Sequence, residues 1–366
     1  MTFLDLFAGI GGFRRGMELA GHKCLGFCEW DKYARMSYIS MHCISDEQRE
    51  YLSTLPLKSR QKEILKDEYL NGEWCSTDIR TVDATNIPKA DCWCFGAPCQ
   101  DFSIAGKRKG LRGDRSSLIR EVFRILAETR EEDKPEWLIY ENVKGMLSSN
   151  RGFDFLGILL EFDRGGYDTE WQLLNTKCHG IPQNRERVYV IGHLRSKGSR
   201  KIFPLRGTDS KTYIPIKQIA QLKSNHRDNP SAYRVYDTSG IAPTLNTGGG
   251  VEENLISLRI KEATKKGYAI AYPGDSINLS LPNSKTRRGR VGRKVANTLD
   301  TACNIGTIDG KRVRKITPRE CFRLQGWNDE YFERAQFVNS DAQLYKQAGN
   351  GVSVNVVQTI AEKIHE

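Results

Sequence analysis

The sequence predicts an α/β protein: a doubly wound, mostly parallel sheet with helices on both faces, joined to a second, smaller β-rich domain. Three observations carry this. Over the first 192 residues short apolar runs alternate with stretches of helical period, and beyond Gly192 the composition turns to Gly, Asn, Ser, Thr and Pro with only short β-like runs. The chemically distinctive residues also cluster just past the apolar runs, where ligands bind in an open parallel sheet.

The expected strands are Thr2–Phe7, Cys24–Cys28, Asp91–Gly96, Trp137–Glu141 and Val188–Gly192, each short, apolar and bounded by turn residues. Between them Phe13–Ala20 and Leu118–Glu128 repeat apolar residues at helical spacing. Cys43 to Trp74 interrupts the rhythm. Its runs Asp46-Glu-Gln-Arg-Glu50 and Lys62-Glu-Ile-Leu-Lys-Asp-Glu68 mix both charge signs, which predicts a solvated helical insertion over residues 43–74. The small domain is expected over 195–335, where Ala242-Pro-Thr-Leu-Asn-Thr247 and Ala296-Asn-Thr-Leu-Asp-Thr301 form a two-copy repeat. A last helix, from about Ser353 to Ile364, has the apolar spacing of a helix that docks on a sheet. Residues 1–194 and 336–366 are therefore expected to form one domain.

Composition narrows the class. A chain of 366 residues that is 39% hydrophobic and 28% charged can bury real cores, which excludes disorder and fibre. No run approaches the roughly 20 apolar residues of a bilayer span, and Met1-Thr-Phe-Leu-Asp-Leu-Phe7 lacks the basic flank of a signal peptide, so a cytoplasmic chain without membrane contact is expected. Ten cysteines without regular spacing then read as reduced thiols. The net charge of +11 is regional: Arg195 to Ile316 holds 24 Lys+Arg against 9 Asp+Glu, leaving the remainder slightly acidic. Such a local positive field suits a polyanion, because each neutralised phosphate releases condensed counterions.

The chemistry follows the strand ends. Phe7-Ala-Gly-Ile-Gly-Gly12 makes a glycine turn into a helix, and Glu29-Trp30 and Asp78-Ile79 each pair an acid with an apolar partner, an arrangement that suits an adenosine-type cofactor. A dinucleotide fingerprint would need a different glycine spacing. In Gly96-Ala-Pro-Cys-Gln100 the thiol of Cys99 is presented at an exposed strand end, the place for a nucleophile. Cys92 and Cys94, two apart on the preceding strand, read as core. Arg185 and Arg187 alternate and so share a strand face, and Glu141 ends another strand as a candidate proton donor. Cysteine–histidine hydrolysis fits poorly because none of the six histidines stands in a base-presenting context, and a zinc site lacks its C-x₂-C pair.

In order, Asp5-Leu-Phe-Ala-Gly-Ile-Gly-Gly-Phe13, Glu29-Trp-Asp31, Asp78-Ile79, Gly96-Ala-Pro-Cys-Gln-Asp-Phe-Ser103, Glu141-Asn-Val143, Gln183-Asn-Arg-Glu-Arg187, Thr317-Pro-Arg-Glu-Cys-Phe-Arg-Leu-Gln-Gly326 and Gly349-Asn-Gly-Val352 span nearly the whole chain. This succession resembles the signature motifs of the C5 DNA cytosine methyltransferases of bacterial restriction–modification systems and phages. The resemblance implies a Rossmann-like S-adenosylmethionine-dependent catalytic domain, with S-adenosylhomocysteine as product, and a small domain that reads double-stranded DNA. It also implies a monomer, with a cognate restriction endonuclease as the partner expected of such systems.

By that resemblance Cys99 is the nucleophile that adds to C6 of a flipped-out cytosine, Glu141 holds and protonates N3, and Arg185 and Arg187 orient the base. The cofactor would meet Phe7, Gly9, Gly11, Glu29, Trp30, Asp78, Ile79, Pro98, Leu118, Asn350 and Val352. DNA would meet Gln100, Ser103 and Arg115 in the loop after the nucleophile. In the small domain it would meet Thr244, Gly249, Arg287, Arg288, Arg290 and Arg293. The doubled repeat leaves open whether Thr244-Leu245 or Thr298-Leu299 takes the recognition-region position. Two other readings stand beside this one: an RNA cytosine methyltransferase on the same framework, and a DNA-binding protein that has lost catalysis.

Overall fold

The computed structural model describes residues 1–97, 118–198, 200–205, 218–221, 234–236, 258–309 and 312–365. At its centre lie seven strands: β1 (Thr2–Leu6), β2 (Lys23–Cys28), β3 (Trp74–Ser76), β4 (Cys92–Phe95), β5 (Trp137–Val143), β6 (Tyr167–Asn175) and β7 (Glu186–Leu194). They form one sheet in the order β3-β2-β1-β4-β5-β7-β6. The strands β3 to β5 in that order are mutually parallel, and β7 runs antiparallel to both of its neighbours. All five strands expected from the sequence are present. The edges β3 and β6 were not expected: β3 has only three residues, and β6 carries the polar residues of an edge strand with one wet side.

Alternation along each central strand divides the core in two. Leu4, Leu6, Trp93, Phe95, Leu138 and Tyr140 face one side, covered by α5 (Leu118–Glu128) and α6 (Phe153–Arg164). Phe3, Cys92, Cys94, Trp137 and Ile139 face the other, against α1 (Gly12–Leu19) and the C-terminal helix Val354–His365. The expected return of the C-terminus is thus observed. A Cβ at Gly16 would lie 2.5 Å from Val357 Cβ, so only glycine lets these two helices approach so closely. Cys92 and Cys94 are buried side by side, as their spacing predicted.

The charged insertion is more than solvated decoration. The helix α2 (Lys32–Tyr38) runs into a π-helical turn (Ile39–Cys43), followed by α3 (Asp46–Ser53) and α4 (Leu57–Glu63). Leu52, Ile64 and Tyr69 are buried with Phe27, Tyr38 and Val338. Arg60 and Gln61 donate to the carbonyls of Phe337 and Val338. Mixed charges mark its wet face only; three apolar anchors fix the other to the sheet.

Beyond Leu205, which with Ile202 still packs in the core of the large unit, the described residues include two hairpins (Gln218–Gln221 with Arg234–Tyr236, and Leu258–Lys261 with Tyr268–Ala271) and a four-stranded antiparallel sheet built on Ser276–Asn278, Val291–Gly292, Ile305–Asp309 and Arg312–Lys315. The common core of the second hairpin and the sheet is small, around Ala271, Ile277 and Ile308. The helices α7 (Pro318–Arg323), α8 (Asp329–Gln336) and α9 (Asp341–Asn350) share a core with Ile10, Met41 and Val354 of the large unit and with Leu299, Cys303, Ile305 and Ile316. A domain boundary at 335 would cut α8 one residue before its end. Packing therefore makes the residues after Ile316 a joint between the large unit and the segment 299–305.

Candidate active site

Register aligns the strand ends. Leu6 pairs with Cys28 and with Phe95, Cys28 with Ser76, and Phe95 with Tyr140. Phe7, Glu29, Gly96 and Glu141 therefore stand in a row along the carboxyl rim.

At β1 the chain turns through three residues with positive φ: Phe7 (56°), Gly9 (57°) and Gly11 (84°). A non-glycine residue in this region is uncommon, so Phe7 marks a constrained turn. Glu29 braces it by accepting the Gly9 N–H at 2.7 Å and the Asp31 N–H at 2.7 Å. Burial pushes the Glu29 carboxyl up, against the lowering effect of those two N–H groups. The Gly11 N–H closes on the Ala8 carbonyl at 2.8 Å. The glycines thus shape the turn through internal bonds. A Cβ at Gly9 would meet nothing within 4 Å, so this face of the backbone is open to a ligand. Beside it the Trp30 ring is 67% exposed, with the Arg80 guanidinium 5.0 Å from its centre.

Arg80 had no place in the sequence reading, although its position two residues after Asp78 could have suggested one. Its Nη2 pairs with Asp78 Oδ2 at 2.7 Å, and its backbone N–H is capped by the same side chain. The Arg80 guanidinium holds the Asp78 carboxyl below its usual range. Asp78 is therefore engaged within its own turn, while Ile79 is buried with Leu4, Leu6 and Cys28 and presents no exposed edge. Asp78 thus holds Arg80 beside the Trp30 ring, and Ile79 packs beneath the same rim. Leu118 opens α5, half-buried against the same core.

Glu141 is buried, and its Oε1 lies 3.1 Å from Arg187 Nε. A Cβ on Gly96 would stand 3.4 Å from Glu141 Oε2, so the carboxyl reaches the start of the 96–103 segment. Arg185 is buried too. Its two terminal nitrogens donate to the Gly349 carbonyl (3.4 Å) and the Gly351 carbonyl (2.8 Å), which brackets the exposed Asn350. Close packing continues at Gly12, where a Cβ would stand 2.6 Å from the Val352 carbonyl oxygen. The motifs around Glu141, Arg185–Arg187, the glycine turn and 349–352 are thus brought to one rim from far apart in sequence. Pro98, Cys99, Gln100, Ser103, Arg115, Thr244 and Gly249 lie outside the described residues.

In the small unit the arginines divide. Arg288 is exposed and Arg287 half-buried. Arg293 is exposed but pairs with Asp275 at 2.6 Å. Arg290 corrects the expectation of a DNA contact: it is 5% exposed, and its guanidinium donates to the carbonyls of Asn278, Lys261 and Pro282. A buried cation that satisfies three carbonyls is an internal brace and has no free fork for a base or phosphate. Thr298 donates to the Asn184 carbonyl at 2.6 Å and Leu299 is buried, so this Thr-Leu pair joins the small unit to the strand-end segment before Arg185.

A model of the family described as "C-5 cytosine-specific DNA methylase" matches residues 1–55 and 58–366. The chain is 28% identical to the orphan methyltransferase M.SPRI of Bacillus phage SPR, over all of this chain and 97% of that one. It is 30% identical to the type II methyltransferase M.HpaII of Haemophilus parainfluenzae, over 100% and 89% of the two chains. Among solved structures, the methyltransferase EhMeth of Entamoeba histolytica superposes with a TM-score of 0.57 at 15% identity, over 100% of this chain and 97% of that one, a likeness of fold.

Proposed function

Because the chain belongs to the C-5 cytosine-specific DNA methylase family, we propose that it transfers a methyl group from S-adenosylmethionine to C5 of a cytosine extruded from duplex DNA, with Cys99 as the transient covalent nucleophile. One observation carries the catalytic part: the buried Glu141 carboxyl, paired with Arg187, reaches the backbone of Gly96, three residues before Cys99. An acid beside the segment that carries the thiol is what addition to a pyrimidine requires, because the ring accepts a nucleophile at C6 only when charge is drained through N3.

In this reading the Cys99 thiolate forms a bond to C6 while Glu141 gives its proton to N3, and C5 becomes the nucleophilic carbon. C5 takes the methyl group; water then takes the C5 proton as the C6–S bond breaks, and N3 returns its proton to Glu141, which restores the aromatic ring and frees the Cys99 thiolate. Arg187 fixes the Glu141 carboxyl, and Arg185 acts through the 349–351 turn, which it holds by two carbonyls. The open face at Gly9, the Glu29 carboxyl and the exposed Trp30 ring fit an adenosyl ligand, and S-adenosylmethionine would supply an electrophilic methyl there. Phe7, Gly11, Asp78, Ile79, Pro98, Leu118, Asn350 and Val352 would complete its surroundings. Extrusion of the base costs a few kcal/mol, which contacts from the basic region would offset.

The recognition unit is read as following Leu205, since Ile202 and Leu205 still pack in the core of the large unit, and as ending at about 316, with Arg287 and Arg288 on its surface. The internal role of Thr298 favours Thr244 as the recognition-region threonine. Bisulfite sequencing of DNA from cells expressing the protein tests the proposal: protected cytosines in one sequence context are expected, and Cys99→Ser abolishes them. Methyl incorporation into tRNA and none into duplex DNA, or failure to trap a 5-fluorocytosine duplex, would overturn it.

A further inference from the structure

We propose that His42 is a positioning residue for the methyl-donor turn, holding the Ile10 carbonyl so that the Phe7–Gly11 backbone keeps its open face toward the donor. The inference rests on the assignment of that turn to S-adenosylmethionine.

His42 lies in the π-helical turn that extends α2, closed by the Ile44 N–H on the Ile39 carbonyl at 3.3 Å. A π-turn is rare and takes one more residue per turn than an α-helix, which shifts the side chains beyond it to a new face. Here it delivers an imidazole to the back of the glycine turn. His42 Nε2 is 3.0 Å from the Ile10 carbonyl oxygen. A carbonyl only accepts, so Nε2 carries the hydrogen and donates. The ring is fixed from two sides, by Tyr38 on α2 (centroids 4.9 Å apart) and by Tyr331 on α8 (5.3 Å). The approach is so close that a Cβ at Gly11 would collide with His42 Nε2.

Gly11 therefore has two reasons to be glycine: a φ of 84° and the imidazole against it. The same freedom makes the Ile10–Gly11 peptide easy to rotate unless something outside the turn holds it. Glu29 holds the Gly9 N–H from the rim side, and His42 holds the Ile10 carbonyl from the core side. Burial, with Arg14 nearby, pushes the His42 imidazole well below its usual range, in keeping with a neutral donor.

The test is calorimetric binding of S-adenosylhomocysteine with steady-state kinetics on duplex DNA. His42→Leu removes the donor and is expected to raise the dissociation constant, and the KM for S-adenosylmethionine, by about tenfold, the net worth of one buried hydrogen bond. Duplex affinity and kcat should stay within about twofold, a split that general loosening of the fold would not produce. His42→Gln, whose amide can donate from a similar place, is expected to restore affinity to within about threefold. A folded His42→Leu protein that binds S-adenosylhomocysteine as the parent does, or a Gln variant no better than Leu, overturns the inference. If His42→Leu does not fold, His42→Gln is compared with His42→Asn, whose amide falls short of Ile10, and equal affinities overturn it. A parent protein that does not bind S-adenosylhomocysteine sinks the donor assignment and the inference with it.

Discussion

Arg14→Met removes the cation that ties α1 to the chain leading into β3. The Arg14 side chain is 6% exposed; its terminal nitrogens meet the two Glu73 carboxylate oxygens at 2.6 and 2.8 Å, and Nε meets Glu18 at 2.8 Å. Loss of the guanidinium leaves the mostly buried Glu73 carboxylate without it, and breaking one side of a buried pair costs about 3–5 kcal/mol. Glu73 is 21% exposed, so water recovers part of this, and methionine keeps the packing of the stem. A loss of ~3 kcal/mol is expected. Glu73→Gln leaves Arg14 with Glu18 and the His42 carbonyl, a loss of ~2 kcal/mol. The double variant leaves neither charge stranded, and its cost should fall below the sum of the singles by ~2 kcal/mol. Urea unfolding, followed by far-UV circular dichroism and tryptophan fluorescence with coincident transitions, measures all four corners of the cycle. A single-variant loss under ~1 kcal/mol, or additivity within ~0.5 kcal/mol, refutes the buried pair as a joint between the insertion and the turn.

Four more substitutions test contacts at separate places in the fold. Arg290→Met should destabilise the small unit by ~2–4 kcal/mol through three unsatisfied carbonyls and leave the salt slope of duplex binding unchanged. Neutralising Arg287 and Arg288 should instead flatten that slope by about 0.9 for each phosphate left without its cation, read from binding isotherms at several salt concentrations. Gly12→Ala places a Cβ 2.6 Å from the Val352 carbonyl and should cost about 1–3 kcal/mol in thermal or urea unfolding; a neutral substitution would mean the 349–352 segment yields freely. Arg314 draws the Glu320 carboxyl from its usual 4.5 to about 2. A depressed folded-state pKa stabilises above the unfolded value, so the advantage over Glu320→Gln should be full near pH 6 and fade as pH falls from about 4.5 toward 2. A difference that grows on acidification would contradict that pairing.

Much of the site was legible because its residues sit at strand ends, and strand ends are written locally. The glycine turn, Glu29-Trp30 and Glu141 could be placed from apolar runs of four to seven residues and the residues just beyond them. At Asp78-Ile79 the sequence did not show that Arg80 pairs with the carboxylate or that Ile79 packs against Leu4 and Leu6, because both depend on tertiary packing. Arg290 looked like its neighbours Arg287 and Arg288. Its role depends on the carbonyls of Lys261 and Pro282, which lie on separate segments. The charged insertion misled because charge is counted per residue, whereas three apolar side chains suffice to anchor a face.

By itself the sequence determined the alternation of strands and helices, the order of motifs along the chain, and the face to which Cys92 and Cys94 point, since each follows from a period of two or 3.6 residues. Tertiary structure alone decided which distant groups meet: Arg185 with the 349–351 carbonyls, His42 with Ile10, and Arg14 with Glu73. Side-chain periodicity is a short-range property of the backbone. A buried polar partner is chosen by whichever unsatisfied group the folded core brings within hydrogen-bond reach, and no local pattern encodes that choice.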